Sequence, residues 1–147
     1  MKQFSFRLDY ILNYRNYLEK SAQRDLFNAR NEYMGWEGEI ERLDQERMKI
    51  AKKCSEEGFK GMDVPLYQIY RSFLQMLHHD LERAHISLKK AEEEVKAQEA
   101  VLEKESIKKK TLEALKDLQL KKYMERLERE EQKAIDELVL IRKGGRA

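Results

Sequence analysis

The chain has 147 residues, of which 39% are charged; thirty Lys and Arg against twenty-eight Asp and Glu leave a formal net charge of +2. So even a mixture of signs marks solvated helix faces carrying i,i+4 pairs, not the footprint of a nucleic-acid binder. With a mean hydropathy of -0.86 and no apolar run near the ~20 residues that span a bilayer, the composition also excludes a membrane-inserted protein and fits long helices or coiled coils.

Met1 to Arg7 carries charge and aromatics without the long apolar centre of a secretory leader. Behind it a seam runs through Leu8, Ile11, Arg15, Leu18, Ala22, Leu26, Ala29, Tyr33, Trp36, Ile40, Leu43, Arg47, Ile50 and Cys54. Its steps alternate between three and four, the a/d signature of a coiled coil. Leu18, Ala22 and Leu26 are spaced four and four, a stutter that locally unwinds a supercoil. Gly35 and Gly38 flank Trp36, each costing ~1 kcal/mol against Ala in a helix; they read as a soft spot on the solvent face, or else as a hinge or close approach. Cys54 is the single cysteine, so no intrachain disulfide forms, and on the seam it reads as a small apolar residue. The chain is expected to be cytosolic, or docked at a membrane through another protein.

Gly58 to Pro65 is the one place where glycine and proline punctuate the chain: a Gly suited to end a helix, then Asp63 as a cap and Pro65 in a first turn. The pattern predicts one coiled-coil domain over 1–147, with a first helix over about 5–57, a turn over about 58–64 and a second helix over about 65–141. The second seam is Tyr70, Leu74, Leu77, Leu81, Ala84, Leu88, Ala91, Val95, Gln98 and Leu102. It degrades at Glu105 and Lys109, and apolar residues return at Leu112, Leu115, Leu120, Tyr123, Leu127, Ala134, Leu138 and Ile141.

A short turn favours antiparallel neighbours. The expected fold is therefore all-α: two long helices in an antiparallel coiled-coil hairpin, with Trp36 near Ala84 and Leu26 near Val95. The first helix runs out opposite about residue 113. The second overhangs it by ~25–30 residues, or ~40 Å. An overhang with its own apolar stripe either frays or meets a partner.

Candidate sites follow from this layout. Phe59, Tyr67, Tyr70 and Phe73 cluster around the turn, where exposed aromatics are interface candidates and Tyr70 is also a seam residue. His78, His79 and His85 lack the further ligands that a zinc site on a helix draws together. Lys108 to Lys110 and Lys121-Lys122 are interspersed with acids, against phosphate recognition. No nucleophile stands with a base and an orienting group, so no catalytic, cofactor or metal site is expected.

Phe4-Ser5-Phe6-Arg7-Leu8-Asp9, with Leu12 and Arg15 behind it, resembles the opening of the FliJ family of bacterial flagellar export proteins. Gly61-Met62-Asp63-Val64 and Tyr70-x-x-Phe73-Leu74-x-x-Leu77 are similar to that family's post-turn segment, and Glu131-Gln132-Lys133-x-x-Asp136-Glu137 with Arg142 to its C-terminal pattern. The resemblance covers nearly the whole chain.

It implies a non-enzymatic coiled-coil stalk of flagellar type III export. Such a stalk sits in the pore of the hexameric export ATPase, couples it to the cytoplasmic domain of the membrane export gate, and in several members handles export chaperones. It implies a role in flagellum assembly and motility, and a cytoplasmic place at the inner face of the cell membrane, held there by the export apparatus. Carried across, Tyr70, Phe73 and Leu77 fall at the gate-binding surface, while Asp80 and Ala84 depart from the pattern of some members. Gln132, Lys133, Asp136, Glu137 and Arg142 fall at the ATPase contact; without the resemblance they read as ordinary i,i+4 surface pairs. Two alternatives stand beside this: the stalk of an injectisome-type virulence secretion system, and a homo-oligomeric structural coiled coil whose overhangs pair with each other.

Overall fold

The computed structural model describes residues 3–145. Two helices account for most of them: α1, Asp9–Lys60, and α2, Val64–Gly144. Contacts divide the chain into two compact units, one of residues 21–102 and one of residues 1–20 with 103–147.

The unit of residues 21–102 is a two-helix hairpin closed by the turn. Helix α1 passes through Gly58 and stops at Lys60, because Gly61 takes a φ of +88° that reverses the chain at little cost only without a side chain. The Gly61 N–H donates to the Gly58 carbonyl at 3.3 Å, and the Tyr67 N–H to the Asp63 carbonyl at 3.1 Å. Asp63 is thus the N-cap residue of α2, with Val64 and Pro65 in a first turn whose N–H groups need no helical acceptor. The core holds Leu43, Leu77, Leu81 and Ala84, with Trp36, Ile40, Ile50 and Phe73 packed against it. Ala22, Leu26, Ala29 and Ala91 are buried as well. Trp36 therefore packs beside Ala84 as the seam predicts, large against small. Of the α1 seam residues, Arg47 alone faces solvent, paired with Asp44 at 2.6 Å. A Cβ at Gly35 or Gly38 would meet nothing within 4 Å, so both sit open on the solvent face.

In the second unit α1 begins at Asp9 and not near residue 5. Residues 3–6 form a non-helical arm, and its two rings explain why. Phe6 is buried, only 6% exposed, and the Phe4 ring lies 5.6 Å from that of Tyr123. Side chains two residues apart in an extended segment share one face, whereas a helix would turn the two rings ~200° apart. Burying one Phe contributes about 1.5–3 kcal/mol, enough to outweigh another helical turn. The arm ends where the Asp9 N–H donates to the Phe6 carbonyl at 3.1 Å and the Leu12 N–H to Leu8 at 2.9 Å.

The helices of this unit are joined by charge. Asp9 meets Lys116 at 2.9 Å, Arg15 meets Glu105 at 3.7 Å, and Glu19 meets Lys109 at 3.3 Å. From Asp9 to Glu19 the partner on α2 falls from Lys116 to Lys109, as between antiparallel neighbours, while Arg15 reaches past that order to Glu105. Arg30 and Glu99, 3.5 Å apart, follow the same register in the other unit. Glu105 and Lys109, which break the apolar seam, thus pair across it. The arm extends the covered part of α2 beyond the expected limit near residue 113: Tyr123 and Leu127 are still half-buried, and every residue from 128 to 145 is exposed.

Candidate functional site

The first candidate surface is built on the turn and the opening of α2. Asp63 starts α2 abruptly, so the helix presents side chains to solvent from its first residue. Phe59 is 92% exposed, and Val64, Tyr67 and Ile69 are exposed too. Pro65, Ile69, Phe73 and Met76 line a shallow groove with Gln68 and Ser72 between them; residues at three- and four-residue steps share one helix face.

The three gate-surface candidates differ in place. Phe73 faces two ways, lining this groove while packing on the core. Tyr70 is half-buried; partial burial first, and then a hydrogen bond to Glu57, push its phenol above the ordinary value. Leu77 is 2% exposed, at the centre of the core. Its side chain holds the helices together and reaches no partner while they stay paired, so the accessible apolar face is Pro65, Ile69, Phe73 and Met76.

The second candidate surface is the C-terminal stretch of α2. Gln132, Lys133, Asp136, Glu137 and Arg142 are all exposed. The Gln132 amide donates to Asp136 at 3.1 Å, an ordinary i,i+4 contact. Among the described residues Lys133, Glu137 and Arg142 form no ion pair. Interleaved with them are Ile135, Leu138, Val139, Leu140 and Ile141, between 45% and 71% exposed. Five large apolar side chains are left in water over seven positions, on more than one face of the helix, and such exposed apolar surface marks an interaction site. Arg142 and Lys143 occupy the last turn, where positive charge opposes the negative end of the helix dipole. Seam spacing identifies Leu138 and Ile141; Ile135, Val139 and Leu140 lie off that row, and the lack of polar residues between 138 and 141 signals only Val139 and Leu140.

Two further features escaped the seam analysis. Tyr10, Tyr14 and Tyr17 form an exposed stripe on α1, legible as an i, i+4, i+7 set beside the seam. The arm was legible only as the Phe4-x-Phe6 alternation. Two of the histidines stand beside one carboxylate: His78 Nε2 is 3.0 Å and His79 Nδ1 3.8 Å from Glu82. Among the described residues no group of three or more His, Cys, Asp or Glu side chains is placed to hold a metal ion.

Against models of known protein families, residues 4–146 match the one described as the flagellar FliJ protein. No curated protein and no solved structure matches the chain.

Proposed function

The chain belongs to the flagellar FliJ family, and we propose that within it the protein serves as the stalk of the export ATPase and links that ring to the export gate. The family is one of coiled-coil proteins of flagellar type III export, structural or chaperone-like and not known as enzymes. The observation that carries the finer reading is the C-terminal stretch of α2, exposed at every residue from 128 to 145 and apolar at Ile135 and Leu138–Ile141. Such a stretch is suited to entering a ring whose walls cover it, with Gln132, Lys133, Asp136, Glu137 and Arg142 as polar contacts around an apolar centre.

The groove of Pro65, Ile69, Phe73 and Met76 is the surface offered to the cytoplasmic domain of the gate. Tyr70 borders it and Leu77 supports it from beneath. Export chaperones are further partners in this reading. The protein is held at the inner face of the membrane by the apparatus it serves, and among the described residues no helix is long and apolar enough to cross a membrane.

The test uses the purified protein with its cognate hexameric ATPase. Binding and a raised hydrolysis rate are expected, both lost on deleting residues 128–147. If the full chain neither binds nor stimulates, the stalk role is wrong. A dimer that persists at low concentration in sedimentation would instead favour self-pairing of the exposed stretches. On the gate side, Met76→Asp places a charge on a half-exposed groove residue outside the core. It should weaken binding to the gate's cytoplasmic domain about tenfold, as loss of a contact worth ~1.4 kcal/mol does, without lowering helix content.

A further inference from the structure

The N-terminal arm lies on a row of α2 that does not end where the arm ends. Lys116, Leu120, Tyr123 and Leu127 follow one another at three- and four-residue steps, and after a seven-residue step past Glu130 and Glu131 the row resumes at Ala134, Leu138 and Ile141. The arm touches the first part at two places, Lys116 and Tyr123: Phe6 is buried, Lys116 Nζ lies 6.0 Å from the Phe6 ring centre, and Phe4 meets Tyr123, while Leu120 between them stays 39% exposed. Along the second part nothing covers it, and every side chain is exposed. One apolar row is thus split between a segment of this same chain and open solvent.

The uncovered part is short for a helix-docking surface. Ala134, Leu138 and Ile141 amount to roughly two heptads with their neighbours, where a sustained coiled-coil contact uses about three to four. Adding Leu120, Tyr123 and Leu127 doubles the row. The arm is also held outside any helix, since residues 3–6 belong to none. Among the contacts that hold it are the buried Phe6 ring beside Lys116, the Phe4–Tyr123 contact and the Asp9–Lys116 pair, whose side chains are 53% and 36% exposed and therefore open to screening by salt.

We propose that the arm is a displaceable strap: it occupies the Lys116–Tyr123 part of the row in the free protein and yields it to the partner that docks on residues 128–144. This rests on the reading of the C-terminal stretch as the ATPase contact. The strap conceals apolar surface that would otherwise extend the exposed patch, and it makes full docking depend on release of the N-terminus. The affinity measured for the strapped protein is the intrinsic affinity scaled by the fraction of molecules whose arm is off. Loosening the arm therefore tightens binding, although no residue of the docking row has changed.

Binding to the cognate hexameric ATPase, measured for four full-purpose proteins under one set of conditions, tests this. Phe4→Ala with Phe6→Ala should bind at least ~3-fold more tightly than the unaltered chain. Asp9→Lys, which sets two positive charges against each other at the root of the arm, should shift binding the same way by less. Deletion of 128–147 should abolish it. If the deletion abolishes binding while the two arm variants bind equally or more weakly, the strap is wrong and the stalk reading stands. If neither the unaltered chain nor the arm variants bind, the stalk reading fails and the strap with it. Helix content by circular dichroism is measured for each, and should the double variant lose helix, Asp9→Lys decides.

Discussion

Between residues 21 and 102 the facing positions are Ala22, Leu26, Ala29 and Leu43 on one helix and Leu77, Leu81, Ala84 and Ala91 on the other, all buried. In the unit of residues 1–20 and 103–147, Phe6 is the one buried residue among those described, and the helices meet through three ion pairs. The same two helices are thus closed by fully buried packing in one unit, and in the other by ion pairs along a seam whose Ile11, Leu18, Leu112 and Leu115 are only half-buried. Alternating Ala and Leu lets backbones approach and excludes water, which is where most stabilisation arises. Long charged side chains hold register but contribute little net energy, because desolvation offsets much of their attraction. The charge-paired unit should therefore open first, and it is also the unit that carries the arm and the exposed stretch.

The largest effect that could break this contrast comes from truncating the two seams at matched positions. Leu77→Ala truncates a core side chain only 2% exposed and should cost about 2–5 kcal/mol in urea unfolding. Leu112→Ala, at a half-buried position of the charged unit, should cost no more than about 1.5 kcal/mol. Equal losses would mean that the two units are stabilised alike.

A smaller effect, of opposite sign, sharpens the comparison. Glu105 Oε2 is buried without a hydrogen-bond partner, and Arg15 reaches it only at 3.7 Å. Replacing both residues together, Arg15→Leu with Glu105→Leu, should raise stability by about 1–2 kcal/mol, since apolar packing often outperforms a poorly satisfied ion pair. Arg15→Leu alone leaves Glu105 with only Lys108, at 3.8 Å, as a partner and should destabilise. Amide exchange gives a second measure: raising NaCl from 0.05 to 0.5 M (arbitrary bounds of roughly 14 and 4 Å in screening length) should speed exchange over residues 9–20 and leave residues 26–43 nearly unchanged.

Helical periodicity made nearly all of the paired surface legible before any coordinates, because a three-four repeat over many turns admits few other folds. Arg47 is the exception, and a long charged side chain leaves a seam at little cost when Asp44 stands one turn away. The arm was not legible in the same way. Four residues carry too short an alternation to compete with a helical pattern that begins at Leu8, so the helix start was placed too early and the free stretch of α2 made too long. The Leu77 position shows a different limit: a motif identifies residues that matter without separating those that touch a partner from those that hold the helix beneath it. At the C-terminus, spacing found the seam row and missed Ile135, Val139 and Leu140, since an unpaired helix can expose more than one face.

The smallest effect concerns the ion pairs of the packed unit, most of which run along one helix. Arg42 donates to Glu39 at 2.6 Å and to Glu46 at 3.2 Å. The hydrogen bond from Arg42, more than its charge, holds the Glu39 carboxyl below its ordinary value of 4.5. A depressed carboxyl contributes stability that is fully present above its unfolded value and disappears as pH falls through its folded one. Glu39→Gln should therefore lower the Tm slightly at pH 7, with the gap to the unaltered chain closing as acid takes the pH below 4.5. Because both side chains stand in solvent, that gap should be far smaller than the loss from Leu77→Ala. A gap of comparable size would show that surface charge also carries the packed unit, and the contrast between the two halves would not hold.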